Sequence, residues 1–257
     1  QEQESREVIQ MRLENDAMFA QAAIRPRNFA KIKAGLLQQL QEFPELSEIS
    51  IYAKPVGQGK TVEGLSVRAA EVLAEAYGFN RIRSDVTPLD DDRVKVEAGF
   101  TDYAGARVWQ DAGILSRWYR TQGGQMQRHG DDRFYNVVVK AETSKRVREV
   151  ILRSVNASLK AWFEHACREQ LSQILDPTKV QKIVDGFKTL GVTDQQLEGF
   201  IGRPRSLGWT DQDRLKLAGL WTAIRDGETT VNETFGKVQQ PAAPSSSAGL
   251  LDAQVVV

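Results

Sequence analysis

The chain has 257 residues, with 34 basic and 34 acidic side chains and therefore no net formal charge. Its hydrophobic fraction of 41% and charged fraction of 26% are those of an ordinary globular protein, long enough to bury a core without disulfides or metals. The single cysteine, Cys167, excludes an internal disulfide and is consistent with a reducing compartment. No apolar run approaches the roughly 18 residues that span a bilayer, so no membrane partner is expected. The polar N-terminal stretch QEQESREVIQ is not a secretory signal, and without a first methionine we expect a processed or truncated chain.

The first part of the chain predicts helices around a short hairpin. Apolar residues recur at three- and four-residue steps in the helical stretches, and Pro44 is expected to end the second helix. Ser66 is a candidate N-cap and Gly78 a candidate residue beyond the C-terminus of the third helix. The predicted helices are 3–19, 27–43 and 66–77, and the predicted strands are 49–56 and 61–66.

The middle of the chain predicts a β-meander followed by one long helix. Strands are expected over 80–89, 93–101 and 105–119, with turns rich in aspartate and glycine between them. Residues 121–135 are polar and glycine-rich, which predicts an exposed loop. A helix is predicted over 136–174. Its apolar stripe is Val147, Ile151, Val155, Leu159, Trp162 and Ala166, and Lys145, Arg146, Arg153 and Lys160 fall on the opposite side.

Asp176-Pro177 is expected to break that helix and to begin a small helical unit. Short helices are predicted at 178–188, 194–200, 211–226 and 230–236, with Thr193, Thr210 and Thr229 as N-caps. The predicted fold class is α+β: a β-meander (a β-β-β-α unit) packed on a long helix, with N-terminal helices and a small C-terminal helical module. The expected divisions are an α+β core at 1–176, the module at 177–237, and a low-complexity flexible tail at 238–257.

Positive charge is concentrated in one part of this neutral chain. Between Arg117 and Lys160 there are ten basic and four acidic residues, a local net charge of +6. Within it the stretch RWYR at 117–120 interleaves arginines with aromatics, and the predicted loop adds Arg128 and His129. Arginines can neutralise phosphates, and exposed aromatic rings can stack on bases. The alternatives are that the charged face is only solvated and that one of the two aromatic residues packs in the core.

A phosphate-binding loop and a metal site are both poorly supported by the sequence. The segment GQGKT at 57–61 has Lys54 where a phosphate loop needs its first glycine, so a hairpin turn is expected instead. His165 and Cys167 lie two residues apart on a predicted helix and therefore point in different directions. We therefore expect no metal and no cofactor, because a structural zinc site needs three or four ligands.

Two groups of aspartates leave one enzymatic alternative open. Residues 90–92 and 131–132 are all aspartate, but both groups lie in predicted turns, where aspartate is favoured for local hydrogen bonding. A carboxylate–metal nuclease is the enzymatic reading that remains. No serine–histidine or cysteine–histidine motif is present, so we expect a protein that is not an enzyme.

The order of these segments resembles a known family. The helix SVRAAEVLAEAYG, the meander, the glycine-rich basic loop and the helix beginning KAETSKRVREVILR resemble the phage single-strand annealing proteins, which include the Redβ, RecT and Erf groups. The segments LGVTDQQLEGFIGRP and DRLKLAGLWTAIRDGETTVNETF resemble a helical module at the end of phage recombination proteins. The resemblance covers roughly residues 60–236. It implies a β-β-β-α unit that holds single-stranded DNA in a basic groove, with Arg128, Lys145, Arg146, Arg148 and Arg153 on the loop and helix.

The sequence and this resemblance together predict ATP-independent binding and annealing of single-stranded DNA in homologous recombination, by a ring or filament of identical subunits. The resemblance also implies a location in the bacterial cytoplasm, and a phage exonuclease or a host single-strand binding protein as further partners. The alternative is an assembly protein of a phage or larger complex that acts through protein contacts. Arg148 falls on the apolar side of its helix, which predicts a buried arginine or a subunit contact. The expected DNA-binding residues are Arg117, Trp118, Tyr119, Arg120, Arg128, Lys140, Lys145, Arg146, Arg148, Arg153 and Lys160.

Overall fold

A computed structural model describes residues 6–56, 61–121, 124–227 and 229–236. The turn predicted at 57–60 and the tail predicted at 238–257 lie outside the described residues. Helices and strands are both present, and the strands form small antiparallel sheets, so the predicted α+β class is confirmed. None of the described helices is both long enough and apolar enough to span a bilayer.

Three helices begin the fold: α1 (Arg6–Ile24), α2 (Phe29–Glu42) and α3 (Glu45–Ser50). The Arg27 guanidinium, before α2, donates to both carboxylate oxygens of Asp102, at 2.9 and 2.6 Å, and it lies 3.6 Å from the centre of the Tyr77 ring. This buried ion pair attaches the N-terminal helices to the central strand of the meander. The strand predicted at 49–56 begins too early, because residues 45–50 are helical: the Ser50 hydroxyl donates to the Leu46 carbonyl and stays inside the helix.

A hairpin of β1 (Ile51–Pro55) and β2 (Thr61–Leu65) leads into α4 (Val67–Tyr77). Ser66 caps α4 by accepting from the Ala69 N–H, and its own hydroxyl donates to the Ile49 carbonyl. Gly78 ends the helix with φ +64°, a conformation that costs glycine little. Both predicted helix boundaries are confirmed.

The meander consists of β3 (Asn80–Pro88), β4 (Arg93–Asp102) and β5 (Arg107–Ser116), which pair antiparallel in that order. Val94, Val96, Ala98 and Phe100 alternate along β4 and are buried, because this face is covered by the helix that follows the strands. The expected meander is confirmed.

The predicted loop at 121–135 is partly wrong, because residues 126–128 and 131–135 belong to ordered elements. Strand β6 (Trp118–Arg120) pairs with β7 (Met126–Arg128), and the short helix α5 (Asp131–Arg133) runs into one π-helical stretch, Phe134–Val139. We call β6, β7 and His129 the aromatic hairpin. The short β6 and β7 strands belong to a sheet of their own, separate from the meander.

The single long helix predicted over 136–174 is wrong. It is two helices, α6 (Lys140–Ser154) and α7 (Ala157–Ile174). Val155 is extended (ψ 146°), and the Asn156 side chain accepts from the N–H groups of Ser158 and Leu159 at 3.0 and 3.1 Å. Asparagine is among the best N-cap residues, so it starts a new helix here although the apolar spacing continues through the break.

The C-terminal residues form the predicted helices: α8 (Pro177–Thr189), α9 (Asp194–Ile201), a single 3₁₀ turn (Arg205–Leu207), α10 (Asp211–Arg225) and α11 (Val231–Phe235). Thr193 and Thr210 are N-caps as expected, whereas the predicted cap Thr229 is wrong and Thr230 caps α11. Helix α10 also packs on β1, because Gly219 lets it approach: a β-carbon there would lie 2.9 Å from the Ala53 backbone nitrogen.

Three apolar clusters hold these elements together. The largest joins α2, α4, α6, α7 and β4 around Leu73, Phe100 and Phe163, and also contains Ala218 of α10. The second lies among α8, α9 and α10, and the third places Phe134 and Val139 against the first half of β4. The third cluster fixes the start of α6 beside the aromatic hairpin.

Candidate nucleic-acid interface

The aromatic hairpin displays aromatic and cationic side chains on its surface. Trp118 is 44% exposed and Tyr119 is 38% exposed. Because side chains alternate along a strand, Trp118 and Arg120 lie on one face of β6 and Tyr119 lies on the other. The strand pairing sets Trp118 opposite Arg128. Both predicted aromatic residues are therefore on the surface, and the alternative that one of them packs in the core is wrong.

Asp92, in the turn between β3 and β4, holds in place the face of the hairpin that carries Trp118. Its carboxylate accepts from the Trp118 indole N–H at 2.9 Å and from Nε of Arg128 at 2.7 Å, and its carbonyl accepts from the Arg117 N–H. The bond from Trp118 and then that from Arg128 lower the pKa of Asp92, so it is ionised at neutral pH. Arg128 therefore reaches the surface with its charge already balanced.

The second face of the hairpin is an aromatic stack. The Tyr119 and His129 rings are 4.1 Å apart and nearly parallel, and the Tyr119 hydroxyl donates to Gln127. Burial, and then the positive charge of Arg133, lower the pKa of His129 below its usual 6.5. The imidazole is thus neutral at pH 7, and the stack is an uncharged platform with a cation beside it.

Most of the predicted cations on α6 are paired with acids, so the local net charge of +6 overstates the positive charge that this helix offers. Arg146 bonds Asp111 of β5 at 2.8 Å and Glu142 at 2.7 Å. Glu142 also lies 3.7 Å from Lys145. Arg153 bonds Glu149 at 2.6 Å. Glu142 and Glu149 are three or four residues from their partners, a spacing at which helical side chains meet.

Three other predicted residues have structural surroundings. Arg117 is buried, pairs with Asp131 and lies 5.2 Å from the centres of the Phe134 and Tyr135 rings. Arg148 is buried with its guanidinium 4.5 Å from the Tyr52 ring centre, which confirms the buried alternative for this residue. Lys160 donates to the Leu152 carbonyl at 3.3 Å and so closes the end of α6.

The predicted groove therefore divides into two regions. Arg117, Trp118, Tyr119, Arg120, Arg128 and Lys140 lie on the hairpin, directly before it or at the start of α6, and Arg153 and Lys160 lie near the break between α6 and α7. The two ends of α6 are about 20 Å apart at 1.5 Å per residue, with Lys145, Arg146 and Arg148 between them. Arg120 and Lys140 are exposed and have no acidic partner among the described residues.

Sequence reasoning missed Arg133 and Asp92. Arg133 is exposed, and it too has no acidic partner in the described part of the chain. The position of Arg133 directly after the hairpin could have identified it, but the sequence places it in the predicted loop at 121–135. Asp92 gave no signal as a hairpin residue because it lies 26 positions before Trp118.

The aspartate groups have local partners. Asp90 pairs with Arg93 at 2.6 Å, Asp92 with Arg128, and Asp132 accepts from the Asn136 side chain. Within the described ranges, no three histidine, cysteine, aspartate or glutamate side chains are grouped so as to hold a metal ion.

Comparison of the chain with protein-family models, with curated proteins and with solved structures gives no match in any of the three.

Proposed function

We propose that this protein binds single-stranded DNA through the aromatic hairpin and anneals complementary strands without ATP. The observation that carries the proposal is the pair of exposed aromatic faces, Trp118 and the Tyr119–His129 stack, beside the cations Arg120 and Arg133. Unpaired bases offer π-faces to such platforms, whereas bases inside a duplex do not. The hairpin therefore favours single strands over duplex.

The contacts expected at the hairpin divide into stacking and charge. Trp118 is held at its indole nitrogen by Asp92, so its ring presents a fixed surface to a base. Arg120, Arg133 and Lys140 supply positive charge for the phosphates without first breaking an ion pair within the described chain. Annealing needs no nucleophile or metal in this scheme, because a strand held at a few bases leaves the others free to pair. Self-association into a ring or filament would repeat the hairpin along one strand.

Fluorescence anisotropy of a labelled single-stranded oligonucleotide tests the proposal. Trp118→Ala should weaken binding about 5- to 150-fold, since one base–aromatic stack contributes about 1–3 kcal/mol. Arg120→Gln should reduce the slope of log K against log salt by about 0.7, the contribution of one neutralised phosphate on a single strand. Lys31→Gln, an exposed lysine on α2, is the matched control and should bind as the wild type does. Absence of salt-sensitive binding by the wild-type protein at low ionic strength would exclude the proposed function.

Arg153→Gln separates a hairpin-centred site from one that spans the whole helix. Arg153 is paired with Glu149 and lies at the far end of α6, so its loss should change affinity less than the loss of Arg120. Equal losses for the two variants would support the longer groove that the sequence suggested. Complementary oligonucleotides with a donor and an acceptor dye then measure annealing, which should fall with Trp118→Ala in parallel with binding.

An assembly role is the second candidate, and helix α1 favours it. Its apolar side chains include Leu13 and Ile24, which are 64% and 76% exposed, and Val8, Ile9 and Phe19, which are between 43% and 46% exposed. Such a surface is typical of a protein contact. It agrees equally with self-association of a DNA-binding protein. If Trp118→Ala and Arg120→Gln bind DNA as the wild type does while the chain self-associates, the assembly role is the better one.

A further inference from the structure

A cleft among helices α3, α7, α8 and α10 has the chemistry of a second binding site. Its volume is about 450 Å³, within the range of small-molecule pockets. Leu171, Leu175 and Ala218 form its floor, and all three are buried side chains of the main core. None of its lining residues belongs to the aromatic hairpin or the meander, so the cleft is separate from the proposed DNA site.

An indole and an aliphatic side chain make the wall of the cleft. Trp221 of α10 lies against α8 at Gly186, where a β-carbon would come within 2.6 Å of the ring, and it meets the Phe187 ring edge-on at 5.1 Å. Ile183 of α8 lines the cleft beside it. The wall is therefore apolar and held rigidly by the packing of α8 on α10.

The rim of the cleft is cationic. Lys179 is neutralised by Glu48 of α3. Lys182 is exposed and has no acidic partner among the residues that the structure describes. Arg225 is 46% exposed and, among the described residues, its acidic partner is its neighbour Asp226, at 3.5 Å. An apolar cavity below two such cations suits a ligand with an apolar body and a single negative head group.

We propose that this cleft binds a small amphipathic anion, with the apolar body against Trp221, Ile183 and the core floor, and the anionic head group between Lys182 and Arg225. The apolar part gains affinity by leaving water, and the head group meets positive charge at the rim. The site and its ligand are independent of DNA binding.

Octanoate, octanamide and hexanoate are the probes for this site. In ¹H–¹⁵N spectra of the full chain, octanoate should shift the Trp221 indole N–H signal saturably, and Trp221→Phe identifies that signal among the five tryptophans. Hexanoate should bind about tenfold more weakly, because it buries two fewer methylene groups. Octanamide has the same body without the charge and should bind at least fivefold more weakly than octanoate.

Charge reversal at the rim tests the head-group contacts. Lys182→Glu and Arg225→Glu should each remove the preference for octanoate over octanamide, and Lys31→Glu, away from the cleft, should keep it. Lys182→Gln is the milder variant if a reversal perturbs folding, which circular dichroism monitors. Equal binding of octanoate and octanamide by the wild type would overturn the proposal. So would a Trp221 signal that does not move with octanoate up to about 5 mM, a concentration typical of weak binding.

Discussion

The Cys167 side chain lies on α7 and is fully buried in the largest apolar cluster. Burial raises the pKa of its thiol to about 12. The thiolate is the reactive form, so native Cys167 should resist a thiol reagent at pH 8 and react only when the chain unfolds. Labelling with a chromogenic disulfide, with and without denaturant, measures this. Rapid labelling of the native protein would contradict the placement of Cys167 in the core.

The sequence predicts the helix caps but not the ion pairs of the hairpin region. Ser66, Thr193 and Thr210 were identified as caps because a capping side chain bonds to backbone within three residues. The partners of Arg117 and Arg128 were not predicted from charge counts, because Asp131 and Asp92 are brought to them by turns of the chain. A local excess of cations therefore overstated the positive charge that is available at the surface.

Among the secondary-structure elements, helices α6 and α7 are separated by the Asn156 cap. Asn156→Ala removes a cap with two hydrogen bonds and should lower the free energy of unfolding by about 1 kcal/mol. Asn156→Asp should retain most of the stability, since aspartate caps as well. Chemical denaturation measures both, with exposed Ser158→Ala as the control. An Asn156→Ala protein as stable as the wild type would favour one continuous helix.

Elements with local signals were predicted well, and elements that depend on tertiary contacts were not. The meander alternates clearly and the C-terminal helices carry strong caps, so both were identified. The β6–β7 hairpin has strands of three residues, which are too short to show a period. Helix α3 was not predicted, and its last two residues were assigned to the strand at 49–56 because they precede the apolar run of β1. The hairpin is also the centre of the candidate site, so the least predictable element proved the most informative.

At the scale of the whole molecule, α10 connects the C-terminal helices to the core. Gly219→Ala would press a methyl group on the β1 backbone and should destabilise the protein by about 1–3 kcal/mol. Gly199→Ala, in α9 where a β-carbon meets nothing within 4 Å, is the matched control and should be neutral or stabilising.

Because Ala218 and Thr222 of α10 also contact the core region, we expect one unfolding transition by both circular dichroism and tryptophan fluorescence. Two separate transitions would instead indicate that residues 177–237 fold independently.

The aromatic hairpin contributes no side chain to any of the three apolar clusters of the described chain. Its position depends on hydrogen bonds to the turn at Asp92 and on backbone pairing rather than on buried area. Under the proposed function, selection for a folded chain and selection for a bound ligand therefore act largely on different positions. Hairpin side chains other than Trp118 and Arg128, which bond to Asp92, are free to diverge between related chains with little effect on folding, so the proposed ligand contacts can change while the scaffold is kept.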